Sequence, residues 1–170
     1  MPKKKTPIVS IVMGSDSDLP VMEEASKLLR AFDIPYELFL TSAHRTPDRT
    51  SKFAREAAKK GIRLLIVGAG AAAHLAGVIA SQTDLPVIGV PIDATTLGGL
   101  DALLATVQMP GGIPVATMAI GKAGAKNAAL FAVRILSLED PDLREKLREY
   151  VANMAREVER KHSDLSCRAS

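Results

Sequence analysis

The sequence predicts an α/β fold in which one parallel sheet lies between two layers of helices. Five short runs rich in β-branched and aliphatic residues alternate along the chain with stretches of helical periodicity. Strands that alternate with helices form a parallel sheet with right-handed crossovers. Apolar residues make up 47% of the 170 residues and aromatic residues only 4%, so we expect a core of small and aliphatic side chains.

The first half of the chain is predicted to hold three strands and three helices. Each strand is a short apolar run that ends at a turn residue, and each helix repeats its apolar residues every three or four positions. Pro47 suits the first position of the second helix, Thr46 suits its cap, and Gly61 suits its end. The predicted strands are 8–13, 36–40 and 64–67, and the predicted helices are 19–32, 47–60 and 71–82.

The second half continues the same alternation. Strands are predicted over 86–90 and 115–120, and helices over 98–107 and 123–136. Five strands favour a flavodoxin-like, three-layer sandwich with strand order 2-1-3-4-5, in which the crevice lies between strands one and three. We predict a single domain of residues 1–170 with a core over about 7–137.

One helix remains once both faces of such a sheet are covered. Asp140 can cap it and Pro141 fits its first position, so it is predicted over about 140–161. Its apolar residues form one narrow stripe: Leu143, Leu147, Val151, Met154 and Val158. We interpret this helix as an oligomerisation arm that packs on a neighbouring subunit, and a helix that folds back on its own domain is the alternative.

Composition narrows the class of protein. The formal charge is +3, and no basic stripe is interleaved with aromatic residues, which disfavours nucleic acid as a partner. The single cysteine, Cys167, cannot form a disulfide framework and fits a reducing compartment. No secretory leader or membrane-spanning run is recognised. We therefore expect a cytoplasmic protein without membrane contact.

Polar and small residues directly follow the first three predicted strands. The carboxyl ends of parallel strands meet at one edge of the sheet, where open α/β sheets bind ligands. The three segments are 14–18 (Gly-Ser-Asp-Ser-Asp), 42–47 (Ser-Ala-His-Arg-Thr-Pro) and 68–74 (Gly-Ala-Gly-Ala-Ala-Ala-His). Their convergence predicts an enzyme site for a small phosphorylated molecule.

The first segment offers hydroxyls and a carboxylate. Ser15 and Ser17, with free backbone N–H groups at the start of a helix, are typical of an anion site. A carboxylate does not suit a phosphate, so Asp18 is expected to accept hydrogen bonds from sugar hydroxyls. A capping cluster without any ligand is the alternative for this segment.

The second segment carries the residues best suited to catalysis. The planar guanidinium of Arg45 matches a phosphate with two parallel bonds, although Arg45 could instead pair with Asp48. Ser42 can orient the ligand. Imidazole can take and return a proton near neutral pH, so His44 is the candidate acid and base. The alternative is a structural histidine in a loop.

The third segment is nearly free of bulky side chains. Gly70 and Ala71 would let a ligand lie against backbone amides, or would serve only close packing of helix on sheet. His74 could orient the ligand or reach the neighbourhood of His44, or could be structural. The spacing departs from a dinucleotide fingerprint. No set of metal-ligand residues stands near these histidines, and we expect neither a metal nor a cofactor.

Taken together, the motifs resemble the class I N5-carboxyaminoimidazole ribonucleotide mutase family of purine biosynthesis, also known as the PurE family. The resemblance rests on the three segments above and on two more, 107–114 (Val-Gln-Met-Pro-Gly-Gly-Ile-Pro) and 119–130 (Ala-Ile-Gly-Lys-Ala-Gly-Ala-Lys-Asn-Ala-Ala-Leu). It runs from about residue 8 to residue 136, in order. Asp16, Ala76 and Val78 depart from the residues common in the family.

The resemblance implies a specific reaction and assembly. The carboxyl group would move from the exocyclic nitrogen of an aminoimidazole ribonucleotide to ring carbon 4, without ATP, metal or biotin. His44 would be the acid/base, and Ser15, Asp18 and Arg45 would bind the ribose phosphate. A homo-octamer is implied, and transient contact with the synthetase that forms the carbamate is a further expectation.

Three other interpretations compete with this one. The class II relative carboxylates the same ring with free carbon dioxide, but Arg45 and His74 favour class I. A receiver-type signalling domain would need an aspartate after strand three, where the chain has Gly68-Ala69-Gly70. A flavin-binding electron carrier would stack its ring on aromatic side chains, and the three segments contain none.

Overall fold

The computed structural model describes residues 6–168, which form five strands and six α-helices. The strands are β1 (Val9–Met13), β2 (Tyr36–Leu40), β3 (Leu64–Gly70), β4 (Val87–Ile92) and β5 (Ala116–Thr117). The helices are α1 (Leu19–Ala31), α2 (Pro47–Glu56), α3 (Leu75–Ala80), α4 (Leu100–Val107), α5 (Gly121–Leu136) and α6 (Pro141–Arg168). Short 3₁₀ turns cover Asp16–Asp18 and Ala58–Lys60.

The strands form one parallel sheet of order β2-β1-β3-β4-β5. This order confirms the predicted flavodoxin-like fold. Met13, the last residue of β1, pairs with Leu40 on one side and with Gly68 on the other. Because all strands run the same way, the segments that follow β1, β2 and β3 leave the sheet at the same edge.

A continuous apolar core covers one face of the sheet. Val12, Leu65 and Val67 project from the strands and pack with residues of α2, α3 and α4, including Phe53 and Ile79. All five are at most 3% exposed. Burial of large aliphatic side chains on this scale contributes about 1.5–3 kcal/mol each to folding, so the core fixes the strands that carry the site.

On the other face, β3 and α1 approach closely at a glycine. Gly68 is buried, and a Cβ atom placed there would lie 2.9 Å from Cγ of Met22. Met22 is itself fully buried in α1. The glycine therefore lets the methionine side chain lie directly on the sheet, as expected for a core poor in aromatic residues.

The third strand and third helix differ from the predicted bounds. Strand β3 continues to Gly70, and α3 begins only at Leu75, so the segment between them is a loop rather than helix. Ala71 has φ of +52°. This left-handed conformation is unfavourable for residues with a Cβ and belongs to neither a strand nor a helix, which explains why β3 ends at Gly70 and why no helix begins at Ala71.

Helix α2 also ends early, and its cap works differently from the prediction. The helix ends at Glu56, a 3₁₀ turn follows, and Gly61 closes that turn with φ of +89°. Thr46 occupies the cap position, but its side chain does not cap the helix. Its hydroxyl instead donates to the carbonyl of Ser42, four residues earlier.

Beyond these, α1, α4 and α5 differ from their predicted bounds by one or two residues, and β5 is reduced to two. The chain divides into two compact units, with the boundary in the sequence between Phe131 and Ala132. In the second unit Asp140 accepts a hydrogen bond from the backbone N–H of Leu143, at 3.0 Å, as predicted for a cap. Helix α6 runs to Arg168, further than the predicted end. The single-domain organisation and the role of α6 as an oligomerisation arm stay predictions. Between residues 6 and 168, no helix is both long and apolar enough to cross a bilayer.

The contact between Gly68 and Met22 gives a stability prediction. Gly68→Ala should lower the free energy of unfolding by about 1–3 kcal/mol, because the added methyl group overpacks the core. Met22→Val in the same chain should recover part of this loss, since the clashing atoms are at the end of the methionine. Gly111→Ala, where a Cβ would meet nothing within 4 Å, is the control. Equal melting temperatures for the wild type and Gly68→Ala would contradict the prediction.

Candidate active site

A pocket of about 480 Å³ opens at the edge of the sheet where β1, β2 and β3 end. The loops after these three strands form most of its wall, and one residue after β4 completes it. The lining residues are Gly14, Ser15, Ser17, Asp18, Ser42, Ala43, His44, Arg45, Ala69, Gly70, Ala71, Ala72, Leu75 and Ala94. The pocket thus lies at the position that the sheet topology predicts for a ligand.

The structure brings the predicted site residues together. Eight of the nine line this pocket: Ser15, Ser17, Asp18, Ser42, His44, Arg45, Gly70 and Ala71. The ninth, His74, is outside the lining but contacts His44. Sequence reasoning missed Ala94, although it closely follows β4 at the same sheet edge; that position was its only signal. The functional roles of all nine residues stay predictions.

The loop after β1 closes on itself as a capping box. The backbone N–H of Ser15 donates to Oδ2 of Asp18 at 2.9 Å, and the backbone N–H of Asp18 donates back to the carbonyl of Ser15 at 3.2 Å. The N–H of Ser17 contacts the Ser15 hydroxyl at 3.3 Å. These N–H groups, expected to be free for an anion, therefore already have acceptors within the loop.

Asp18 is the buried carboxyl group of the pocket, with 5% of the residue exposed. Burial raises the pKa of Asp18 above its ordinary value, although hydrogen bonds from the backbone of Ser15 and Gly14 oppose this effect. Desolvation disfavours the charged form of any carboxyl group. The protein therefore holds a carboxylate at this position at a cost in folding free energy, as is common where a site needs one.

Arg45 spans the gap between the loops after β1 and β2. Its Nη2 donates to the carbonyl of Gly14 at 3.2 Å, and its Nε lies 3.5 Å from the hydroxyl of Ser42. The same hydroxyl accepts the backbone N–H of Arg45 at 3.1 Å. The guanidinium group is exposed and is held over the pocket, where an anionic ligand group could exchange for these neutral acceptors.

The two histidines form a hydrogen-bonded pair at the mouth of the pocket. Nε2 of His44 lies 2.9 Å from Nδ1 of His74, and the two rings meet edge to face, with planes 84° apart. One ring must donate and the other accept, so a single proton lies between these nitrogens. Nδ1 of His44 and Nε2 of His74 are left outside the shared bond. The pair can therefore exchange a proton with a ligand while changing tautomer.

The loop after β3 forms a wall of backbone and methyl groups. A Cβ atom at Gly70 would lie 2.5 Å from the methyl group of Ala94 and 3.1 Å from the carbonyl of Ile92, so only glycine fits. The next residue, Ala71, takes the left-handed conformation described above. This part of the pocket can hold a small apolar group but offers no charged side chain to it.

Within residues 6–168, no three His, Cys, Asp or Glu side chains come together as ligands for one metal ion. The charged and polar groups of the pocket instead comprise one arginine, one buried aspartate, three serines and the histidine pair. Such a set can bind an anionic, hydroxyl-rich ligand and move a proton on it. The fold and the pocket together define an α/β protein of the class that binds a ligand at the carboxyl edge of a parallel sheet.

The comparison with known proteins identifies the family. The AIR carboxylase family matches residues 8–157, and the chain belongs to this family. It is 58% identical to the N5-carboxyaminoimidazole ribonucleotide mutase of Pyrococcus horikoshii over 163 residues, which cover 96% of this chain and 91% of the relative. The chain is accordingly an enzyme of the mutase, or isomerase, class.

Two further relatives extend the comparison. The phosphoribosylaminoimidazole carboxylase of Candida albicans is 52% identical over 155 residues, which cover 91% of this chain but only 27% of that longer protein. The crystal structure of PurE from Treponema denticola superimposes with a TM-score of 0.84 at 31% identity and covers 94% of this chain and 98% of that one. The fold is thus shared along nearly the whole chain.

The buried carboxyl group gives a prediction for pH dependence. The pKa of Asp18 is raised in the folded state, so its contribution to stability is complete at low pH and is lost as the pH rises through the raised pKa. Relative to Asp18→Asn, the wild type should therefore lose free energy of unfolding as the pH rises above 3.8, the ordinary value of this pKa, and through the raised pKa of the folded state. Denaturant unfolding at several pH values measures this difference. Asp164→Asn, at an exposed position of α6, is the control, and a difference that does not change with pH would contradict the assignment.

Proposed function

We propose that this enzyme interconverts N5-carboxyaminoimidazole ribonucleotide and 4-carboxy-5-aminoimidazole ribonucleotide in purine biosynthesis. The observation that carries the proposal is the hydrogen-bonded pair His44–His74 beside Arg45 in one pocket. The identity of this substrate is supported by the 58% identity to a mutase, which extends over 96% of this chain and 91% of the mutase. Among the described residues that line the pocket, His44 is the only imidazole, and the guanidinium of Arg45 follows it directly in the chain.

The division of labour follows from the positions of the side chains. Arg45 and the hydroxyls of Ser15 and Ser17 are suited to the ribose phosphate, because a guanidinium forms strong charge-assisted bonds with phosphate oxygens. Asp18, a hydrogen-bond acceptor, suits the ribose hydroxyls. Ser42 holds Arg45 through its hydroxyl. The wall of Gly70 and Ala71 suits a small molecule without charge.

The proposed reaction runs in two steps. His44 gives a proton to the exocyclic nitrogen, the bond from that nitrogen to the carboxyl carbon breaks, and carbon dioxide and the neutral amine form. Ring carbon 4 then attacks carbon dioxide, and His44 takes the proton from that ring carbon to restore aromaticity. The proton given in the first step is recovered in the second, so no cofactor is consumed. His74 can share that proton through its bond to His44.

The exchange His44→Asn tests the acid and base role. Asparagine is similar in size but cannot donate or accept a proton near neutral pH, so turnover should fall by at least about a hundredfold while nucleotide binding stays nearly intact. Steady-state kinetics and calorimetric titration with the ribonucleotide measure the two quantities. His162→Asn, on the exposed face of α6, is the control. Comparable turnover in His44→Asn would disprove the role.

A carboxylase that uses free carbon dioxide is the second candidate function. The Candida albicans relative is named a carboxylase, and this chain is 52% identical to the 155 residues of that protein with which it aligns. The name therefore favours this second candidate. The two reactions share one ribonucleotide product but differ in the source of its carboxyl carbon. A direct measurement can therefore separate them.

The source of the carboxyl carbon is the decisive measurement. The carbamate substrate would carry a labelled carboxyl carbon and would react in excess unlabelled bicarbonate, and the 4-carboxy product would be analysed for label. We expect the label to be retained, because carbon dioxide would stay within the pocket between the two steps. Label diluted to the level of the bicarbonate would establish the carboxylase instead, and no enzyme-dependent product would disprove both.

We also propose that the chain works as a homo-oligomer, with the octamer implied by the resemblance as the expected form. Exposed apolar side chains on two helices support this proposal, because monomers rarely expose such clusters. They are Leu97, Leu100, Leu104 and Val107 at α4, and Val151, Met154 and Val158 on α6. Cytoplasmic location, the absence of a nucleic-acid partner and contact with the carbamate-forming synthetase stay predictions.

A further inference from the structure

Three threonine hydroxyls lie behind the turn that carries His44. Thr41 directly follows β2, Thr46 ends the turn, and Thr50 lies in the second turn of α2. Thr41 is 3% exposed and Thr50 is fully buried. None of the three lines the 480 Å³ pocket. We call Thr41, Thr46 and Thr50 the threonine clamp.

The first part of the clamp ties together the two ends of the turn 42–46. The hydroxyl of Thr46 accepts the backbone N–H of Ser42 at 3.0 Å and donates to the carbonyl of Ser42 at 3.0 Å. The backbone N–H of Thr46 donates to the same carbonyl at 2.9 Å. Because His44 is the middle residue of this closed turn, these bonds restrict the movement of its Cα atom.

The second part ties the turn to the scaffold. Oγ1 of Thr41 lies 3.1 Å from Oγ1 of Thr46 and 2.8 Å from Oγ1 of Thr50. The hydroxyl of Thr50 also donates to the carbonyl of Thr46 at 3.1 Å. The backbone N–H of Thr41 donates to the carbonyl of Met13, at the end of β1. The turn is therefore fixed at once to the sheet and to α2.

The hydrogen-bond count shows that the clamp needs its hydroxyl groups. Four oxygen contacts involve the clamp's side chains, and three hydroxyl protons are present to fill them. Three contacts can thus be filled at one time, and the buried oxygens of Thr41 and Thr50 both keep a partner. Valine has the shape of threonine but fills none of these contacts, whereas serine keeps the hydroxyl group and can fill the same ones as threonine.

We propose that the threonine clamp positions His44 against His74 and so sets the rate of proton transfer. The proposal rests on the proposed function, because it deepens the role of the same pair. The hydrogen bond of 2.9 Å between the two rings fixes where the side chain of His44 lies in the described structure. A displacement of the turn by about 1 Å would break it, and such misplacements cost up to about a hundredfold in rate.

The kinetic test compares valine with serine at the same position. Thr46→Val and Thr50→Val should lower kcat by about tenfold to a hundredfold. KM should change by less than about threefold, because the long side chain of Arg45 can absorb a small displacement of the turn that the shorter side chain of His44 cannot. Thr46→Ser and Thr50→Ser should stay within about twofold of the wild type. The control is Thr106→Val, since Thr106 is buried in α4 and its hydroxyl donates to the carbonyl of Ala102 at 2.7 Å.

A second measurement separates this proposal from the proposed function. The chain has three histidines, so ¹⁵N NMR of the imidazoles can identify the ring nitrogens of His44 and His74 without any substrate. The signature of the shared bond should be lost in Thr46→Val and kept in Thr46→Ser and Thr106→Val. A wild type without mutase activity would disprove the proposed function, and the NMR result alone would then decide on the clamp.

The outcomes that overturn the proposal are equally definite. Folded Thr46→Val and Thr50→Val with wild-type kcat and unchanged imidazole signals would show that the clamp only stabilises the fold. Loss of kcat by the same factor in Thr106→Val would show that stability, not position, is being measured. If Thr50→Val fails to fold, Thr46→Val still decides, because Thr46 is exposed and its loss removes less buried structure.

Discussion

The pairing of β1 with both of its neighbours is the constraint on which the site depends. Two backbone bonds extend this pairing beyond the ends of the strands: the N–H of Thr41 donates to the carbonyl of Met13, and the N–H of Gly14 donates to the carbonyl of Gly68. Because the three strands are parallel and in register, the loops after β1 and β2 start at the same level, and β3 continues only to Gly70 before its own loop begins. The histidine, arginine and aspartate reach one pocket for this reason and not because of any contact between their own side chains and the sheet.

Small residues are the second constraint, and they join the fold to the pocket. Gly68 lets Met22 lie on the sheet, while Gly70, two residues further along the same strand, lets the wall of the pocket approach Ala94. Both glycines face close neighbours that a methyl group would displace. The near absence of aromatic side chains is thus a property of the site as well as of the core, because a bulkier core would separate the layers that shape the pocket.

Much of the fold could be predicted because hydrophobic runs and turn residues are local signals. The five strands, their order and the loops of the site followed from such signals. The end of β3 could not be predicted in this way, because an alanine in the sequence gives no sign that it will take the left-handed conformation seen at Ala71. The bond between His44 and His74 joins residues 30 positions apart. Ala94 can be assigned to the pocket wall only when the position of the fourth strand in the sheet is known. Both depend on how loops approach in space, which periodicity does not encode.

One peptide group shows how the charged residues of the pocket are coupled. The carbonyl of Gly14 accepts a bond from Arg45, and the N–H of Ser15, on the other side of the same peptide bond, donates to Asp18. The C=O and N–H of a trans peptide point in opposite directions, so the guanidinium and the carboxyl group lie on opposite sides of it. Each bond polarises the peptide in the sense that strengthens the other. An anionic ligand that takes Arg45 from Gly14 would therefore also weaken the hydrogen bond from Ser15 to Asp18, so that the two charged residues respond to the ligand together.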